Sequence, residues 1–462
     1  MIKEENEING SIFRAYDIRG IVGDTLREED VYSIGRALGT MAIELGEKTL
    51  VLARDGRLSG PLLSKSLGVG ILSTGCDVID IGVVPTPLLY YATSVLQSNS
   101  GVMLTGSHNP SNYNGLKMVL AGKTLTQEQI KKLYNYVIND HYINGSGHLD
   151  SINMVERYAS QVSKTVHLKK PLKIVIDCGN GVAGAVAPYL YKQMGCEVIE
   201  LYCEVDGNFP NHHPDPSQIE NLNDLIEAVK LNNADVGLAF DGDGDRLGVV
   251  TNEGEIIWPD RQLMLFAKSI LKHKPGAKII YDVKCSSHLE TLISDFGGCP
   301  IMWKTGHSFI KSKLYETKAD LAGEMSGHIF FKDGWYGFDD ALYAGARLLQ
   351  IIVDEDKNVS QLFSEIPNSV NTPELKINVA DDEKFLLMKK ISENISFKDA
   401  EIINIDGVRV NFKDGWGLVR ASNTTPCLVL RFEADTLDSL LRIKKLFKEF
   451  LLSIKSDLVL PF

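Results

Sequence analysis

The feature that most constrains this chain is a strand–turn–helix unit that recurs three times. Thr49-Leu50-Val51-Leu52-Ala53 enters Arg54-Asp55-Gly56-Arg57. Lys173-Ile174-Val175-Ile176 enters Asp177-Cys178-Gly179-Asn180-Gly181, and Lys278-Ile279-Ile280-Tyr281 enters Asp282-Val283-Lys284-Cys285-Ser286. Each turn leads into amphipathic text. Short apolar strands alternating with such helices bury their faces by packing helices on a parallel or mixed sheet. A second strand follows near Val78, Val198 and Ile301, and a third enters a polar loop at Ser107, Asp241 and Glu324. The period, roughly one hundred residues, is that of one unit copied three times. Three unrelated α/β stretches are the alternative reading.

The C-terminal part has another pattern. Pro373–Val379 predicts a strand and residues 382–394 a helix. Further strands are predicted over 401–405, 407–411, 417–421 and 427–434, then a closing helix over 436–454, where Leu and Phe recur at three and four. Such segregation points to a small α+β domain. At 462 residues the chain has room for about three domains, with four equally compatible. The expected fold class is α/β. Three similar domains with mixed sheets span 1–152, 153–253 and 254–367, and a smaller α+β domain spans 368–462.

Charge narrows the partners. Lys and Arg total 48 against 60 Asp and Glu, a formal charge of −12. That argues against nucleic acid, which needs a basic face, and against docking on anionic membranes. No apolar run approaches the length of a transmembrane helix. The acidic start Met1–Glu7 is not expected to act as a signal peptide. The seven cysteines are scattered and odd in number, with no Cys-x-x-Cys pair, which fits a reducing cytoplasm.

Four loops carry chemistry. Thr105-Gly106-Ser107-His108-Asn109-Pro110 follows the apolar run Gly101–Leu104, so Ser107 lies just past a strand end, where ligands of α/β sheets collect. A serine there can be a covalent nucleophile, with His108 adjacent and Lys117 nearby, or it can simply cap a turn. Asp241-Gly242-Asp243-Gly244-Asp245-Arg246 puts carboxylates on alternate residues between glycines. Hard oxygens so arranged suit Mg²⁺ or Ca²⁺. An EF-hand is excluded, because Arg246 and Asn252 stand where Gly and Glu are needed. Gly323-Glu324-Met325-Ser326-Gly327-His328 can hold sugar hydroxyls through Glu324 and Ser326, with His328 titrating near neutrality, or it can be a structural loop. Arg420-Ala421-Ser422-Asn423-Thr424-Thr425-Pro426 makes either a phosphate cradle or a β-turn. Gly122-Lys123-Thr124 fails as a P-loop, since Lys117 stands where the first glycine is required. The pair His212-His213 lacks zinc-type spacing.

Together, and in this order, these loops resemble the α-D-phosphohexomutase superfamily, as does Phe13-Arg14-Ala15-Tyr16-Asp17-Ile18-Arg19-Gly20. The resemblance covers essentially the whole chain. The Ser107 loop, the Glu324 loop and Trp303-Lys304-Thr305-Gly306-His307-Ser308 look most like its bacterial phosphomannomutase/phosphoglucomutase branch. The resemblance implies four domains around a central active-site cleft. It implies a phosphorylated Ser107 that, with Asp241, Asp243 and Asp245, holds Mg²⁺. A hexose 1-phosphate would become a 1,6-bisphosphate and then a 6-phosphate, with glucose 1,6-bisphosphate as activator. Arg420, Ser422, Asn423 and Thr424 would grip the non-reacting phosphate, helped by Tyr16, Lys284, Gly306 and His307. Glu324 and Ser326 would read the sugar's O3 and O4. Lys117 and His328 are the acid–base nominees, and Arg19, His108 and Arg246 serve the transferring phosphoryl group. Arg19, Lys117, Arg246, Lys284 and Arg420 would line the cleft. The partners implied are sugar phosphates, with the chain a monomer or weak homo-oligomer. A phosphoglucosamine mutase and a non-catalytic divalent-cation-binding protein are the alternatives.

Overall fold

A computed structural model describes residues 8–462 except Gln97 and Thr424, and the side chain of Asp381 is also outside the description. The acidic start Met1–Glu7 and the expected phosphate-loop residue Thr424 therefore lie outside the described residues. Two compact units are present. One comprises Met1–Pro259 and Ser326–Phe363, the other Asp260–Met325 and Ser364–Phe462. Among the described residues no helix is long and apolar enough to cross a membrane.

The repeat is visible in the strand order of three sheets. In the first, Thr49–Arg54 runs parallel to Asp77–Val83 on one side and to Gly101–Leu104 on the other. In the second, Lys173–Asp177 lies between Glu197–Leu201 and Val236–Phe240, again all parallel. In the third, Lys278–Asp282 lies between Cys299–Trp303 and Leu321–Gly323 in the same sense. Each first strand is central, and each third strand ends at a loop singled out from the sequence. Antiparallel additions make the first two sheets mixed: Tyr113–Leu120 joins the first and Leu247–Thr251 the second.

The fourth sheet is antiparallel throughout. Its strands run Val370–Asn371, Cys427–Ala434, Gly415–Ala421, Val408–Phe412 and Glu401–Ile403, with Leu375–Asn378 also paired to Cys427–Ala434. Helices Asp381–Asn394 and Leu437–Ile454 supply Leu387, Ile391, Ile443 and Phe447 to its core. The strand expected to reach residue 405 stops at Ile403, because Gly407, at φ +73°, turns the chain back. The closing helix starts one residue late because Thr436 is its cap, accepting from the Ser439 N–H.

Helices Glu28–Glu44 and Gly60–Leu72 pack on the first sheet and on each other. Their crossing depends on glycine. A Cβ on Gly70 would lie 2.3 Å from the Tyr32 carbonyl oxygen, and one on Gly35 2.5 Å from that of Leu67. Backbone cannot retreat from such a contact without separating the helices. Gly70→Ala should therefore destabilise the protein by about 1–3 kcal/mol, read as a lower denaturation midpoint.

Candidate active site

Ser107 is held in a conformation that serine does not favour. Its φ is +49°, the left-handed region that costs an L-residue roughly 1–2 kcal/mol. The loop is secured from outside. The Asp55 carboxylate accepts from Thr105 Oγ1 at 2.7 Å and the Gly106 N–H at 3.1 Å, and Thr105 Oγ1 accepts from the Ser107 N–H. Arg57, almost completely buried, donates to Asp55 and to the carbonyls of Ser107 (2.8 Å), Asn109 (2.6 Å), Pro110 (2.5 Å) and Tyr113 (3.0 Å). This grip leaves Ser107 Oγ 3.2 Å from His108 Nδ1 and 3.4 Å from Asp241 Oδ2.

The aspartate loop meets the serine loop closely. A Cβ on Gly242 would lie 2.4 Å from the Ser107 carbonyl oxygen, so only glycine permits the approach. Asp241, Asp243 and Asp245 are all fully buried. Asp241 Oδ1 accepts from the N–H groups of Asp245 and Arg246 at 3.0 and 3.1 Å. Lys117 Nζ lies 2.6 Å from Asp243 Oδ2 and 2.6 Å from Asp245 Oδ2. Thr86 Oγ1 also donates to Asp243 Oδ2 at 2.5 Å. The other oxygens of Asp243 and Asp245, both Oδ1, are buried and have no hydrogen-bond partner among the described residues. One carboxylate oxygen from each aspartate falls within 4.8 Å of the others. Orphaned hard oxygens converging in this way fit a divalent cation.

The electrostatics follow from burial and proximity. Burial, then Asp245 and Asp243, push the Asp241 carboxyl well above the usual range. Burial acts the same way on Asp243, but Lys117 outweighs it and holds that carboxyl at about 2. Burial disfavours the Lys117 ammonium, yet Asp243 and Asp245 keep it protonated well beyond its ordinary range. His108 is driven the other way, first by burial and then by Arg246, Arg19, Lys117 and His328. Those four groups therefore share one electrostatic environment. Arg19 pairs with Asp17 at 2.7 Å, and the half-buried Tyr16 precedes it.

His328 joins the same site. Arg246 Nε donates to His328 Nε2 at 3.1 Å. An arginine N–H can only donate, so Nε2 accepts and the ring proton belongs on Nδ1. That nitrogen faces Asp339 Oδ2 at 3.1 Å and Asp245 Oδ1 at 3.5 Å. Asp245, His328 and Asp339 also meet the spacing of a metal cluster, but a proton on Nδ1 makes His328 a hydrogen-bonding group here. Ser326, half-buried, lies in this unit as well.

The second unit assembles the remaining candidates. Lys284 Nζ lies 2.5 Å from Glu374 and 3.7 Å from Asp282. Burial disfavours the Lys284 charge, but Glu374 and Asp282 hold its pKa up, while Lys284 holds Glu374 at about 2 against burial. Arg420 Nε donates to Asp406 at 2.9 Å. Its Nη2 is buried with no hydrogen-bond partner among the described residues, a donor that would suit an anion. Asp406 also accepts from the Thr305 N–H, and Asn423 Nδ2 reaches the Thr305 carbonyl at 3.5 Å. The Gly306 N–H donates to Glu324 Oε1 at 2.5 Å, and His307 begins the helix His307–Thr317. Ser422 Oγ accepts from both the N–H and the hydroxyl of Thr425. Lys284, Gly306, His307, Glu324, Arg420, Ser422 and Asn423 thus belong to one network of loops.

Several functional neighbours have no role in the sequence reading. Arg57 and Asp55 stand in the first repeated turn, so the signal was the repeat itself. His212 and His213 brace neighbouring loops: His212 pairs with Asp177 at 3.1 Å, and His213 Nε2 reaches the His108 carbonyl. Asp339, Glu374 and Asp406 carry no local signal at all. Arg57→Lys keeps the charge but cannot reach four carbonyls, so activity should fall by about 10²-fold through loop misplacement. Steady-state kinetics, with hydrogen exchange at residues 105–113 rising, would check this.

The chain is similar to known proteins over nearly its whole length. Models of the phosphoglucomutase/phosphomannomutase family match the chain in four consecutive pieces. Alpha/beta/alpha domains I, II and III match residues 10–143, 153–254 and 258–370, and the C-terminal domain matches 374–449. The chain is 56% identical over 452 residues to a phosphomannomutase/phosphoglucomutase of Pseudomonas aeruginosa, covering 98% of each. It is 53% identical over 445 residues to a phosphoglucomutase of Neisseria gonorrhoeae, covering 96% of each. A crystal structure of a family protein from Burkholderia thailandensis superposes with a TM-score of 0.94 at 49% identity, covering 99% of this chain and all of that one. With four family models in order and more than half its residues shared with full-length relatives, the chain belongs to the phosphoglucomutase/phosphomannomutase family of the α-D-phosphohexomutase superfamily.

Proposed function

We propose that this chain interconverts the 1- and 6-phosphates of mannose and glucose, with Ser107 as the phosphoryl carrier. The observation that carries the reading is Ser107 Oγ, on strained backbone, 3.4 Å from a carboxylate of the buried aspartate triad. The domain plan 1–152, 153–253, 254–367 and 368–462 belongs to the same proposal.

Ser107 carries a phosphoryl group in the resting enzyme and gives it to O6 of a hexose 1-phosphate. The 1,6-bisphosphate so formed returns its other phosphoryl group to Ser107, and hexose 6-phosphate leaves. Glucose 1,6-bisphosphate primes the cycle. Asp241, Asp243 and Asp245 with Ser107 hold Mg²⁺, which when bound disperses phosphate charge and lowers the barrier to transfer. Arg19, His108, Lys117 and Arg246 stabilise the phosphoryl group in transit. Lys117 is held protonated by two carboxylates, which supports a role in charge stabilisation. Lys117 and His328 are the groups that carry the proton of the attacking hydroxyl, His328 once its Nε2 is released from Arg246. Glu324 and Ser326 read O3 and O4, which the two sugars share. Tyr16, Lys284, Gly306, His307, Arg420, Ser422, Asn423 and Thr424 hold the non-reacting phosphate. A cytoplasmic setting and a monomeric or weakly associating state complete the reading.

Purified protein should convert mannose 1-phosphate and glucose 1-phosphate to their 6-phosphates with Mg²⁺ and a trace of glucose 1,6-bisphosphate. No turnover on either sugar would remove the reading, and faster turnover of glucosamine phosphate would reassign the substrate. Tight Ca²⁺ binding without sugar-phosphate affinity would favour a non-catalytic cation binder. Ser107→Ala should lose at least about 10³-fold in rate and the phosphoryl adduct on the peptide carrying residue 107. An adduct that persists there would overturn the assignment. Chelation should abolish turnover in the wild type, and Asp243→Asn should raise the Mg²⁺ concentration needed to restore it.

A further inference from the structure

The loop that carries Asp177 holds a pair of thiols the mutase reaction does not use. Cys178 follows Asp177 at the end of the strand Lys173–Asp177, and Cys203 lies just past the neighbouring parallel strand Glu197–Leu201. The two strand ends are tied together, Cys178 N–H to the Leu201 carbonyl at 3.1 Å and Asn180 N–H to the Tyr202 carbonyl at 2.8 Å. Their sulfur atoms are 3.5 Å apart. Cys178 is fully buried, while Cys203 is partly exposed. The backbone beside them is strained at Tyr202, a bulky residue with φ +49°, while Asn180, at φ +59°, takes the left-handed region that asparagine tolerates.

This loop also supports the site. The Val182 N–H donates to the Gly242 carbonyl at 3.1 Å. A Cβ on Gly181 would lie 3.0 Å from Gly242 Cα. Asp177 accepts from the Gly179 N–H at 2.9 Å and pairs with His212, whose neighbour His213 reaches the His108 carbonyl. A change in residues 178–182 is therefore passed to the loop of Asp241 and to the loop of Ser107.

We propose that Cys178 and Cys203 are an oxidisable pair that closes to an intramolecular disulfide under peroxide and thereby slows the enzyme reversibly. Hydrogen peroxide reaches the more exposed Cys203 first, converting its thiol to a sulfenic acid with release of one water. Cys178 then attacks that sulfur and the sulfenic oxygen leaves, taking the Cys178 proton, as a second water. Two thiols and one peroxide become one disulfide and two waters. Burial and the adjacent Cys203 push the Cys178 thiol well up, so Cys178 is suited to resolve the sulfenic acid by proximity rather than to react with peroxide itself. Closure must shorten the contact from 3.5 Å to the covalent length of about 2.05 Å. That displacement falls on the strained turn at Tyr202 and on the brace at Gly181-Val182.

The test treats the full-length protein with hydrogen peroxide, alkylates and digests it, and reads the peptides by mass spectrometry. A linked species carrying Cys178 and Cys203, lighter by two hydrogens than the separate peptides and lost on dithiothreitol, is expected. The mutase rate should fall by at least about threefold and return on reduction. Cys203→Ser should keep its rate under the same peroxide. Cys178→Ser should stop at a Cys203 sulfenic acid that dimedone traps, a readout independent of activity. The proposal is overturned if no link forms in the native protein or if linked protein keeps its full rate. It is equally overturned if Cys203→Ser is slowed as much as the wild type.

Discussion

Three fully buried aspartates on alternate residues repel one another where water cannot screen them. Everything around them reads as an answer to that repulsion. Lys117 lies against two of the carboxylates, the N–H groups of Asp245 and Arg246 hold the third, and Thr86 adds a hydroxyl. Oδ1 of Asp243 and of Asp245 are still left without a hydrogen bond among the described residues. A protein that wanted only a stable core would have replaced these groups with apolar ones, since removing a buried charge network is often neutral or favourable. Keeping the charge, with some of it unsatisfied, makes sense where a cation and a phosphoryl group are to be handled.

The Ser107 loop is placed by a related device. Ser107 adopts a left-handed backbone that serine resists, and Arg57 and Asp55 supply the hydrogen bonds that hold it there. Arg57 binds backbone carbonyls, so its contribution is positional and independent of which side chains the loop carries. The second unit uses the same economy in reverse. Arg420 and Lys284 are each paired with an acid, yet Arg420 retains an unsatisfied buried donor. In the loops described above, the groups without a hydrogen-bond partner among the described residues include Oδ1 of Asp243 and Asp245 in the first unit and Arg420 Nη2 in the second. Carboxylate oxygens of that kind would suit a cation, and a guanidinium N–H would suit an anion.

The alternating Asp-Gly text was legible because its geometry is local: carboxylates two residues apart must be near one another whatever the fold. The threefold unit was legible for a similar reason, since strand, turn and helix each write their own period. Its strongest support is the shared strand order, with Thr49–Arg54, Lys173–Asp177 and Lys278–Asp282 each central in its sheet. Strand ends were read less well where a turn overrode apolar text, as at Ile405. The spacing of His212 and His213 does not suggest zinc, and nothing in it says that they brace the loops of Asp177 and His108.

Fold class, the four polar loops and the family are legible in the chain because each depends on residues that are neighbours along it. The partners that complete those loops come from long-range packing. Lys117 meets aspartates 126 and 128 residues away, Arg57 grips a loop 50 to 56 residues on, and Lys284 pairs with Glu374 across 90 residues. It also brought Cys178 and Cys203 into contact across 25 residues. Such pairings are set by how strands order themselves in a sheet. That order follows from burial summed over a whole unit, which no local stretch of sequence records.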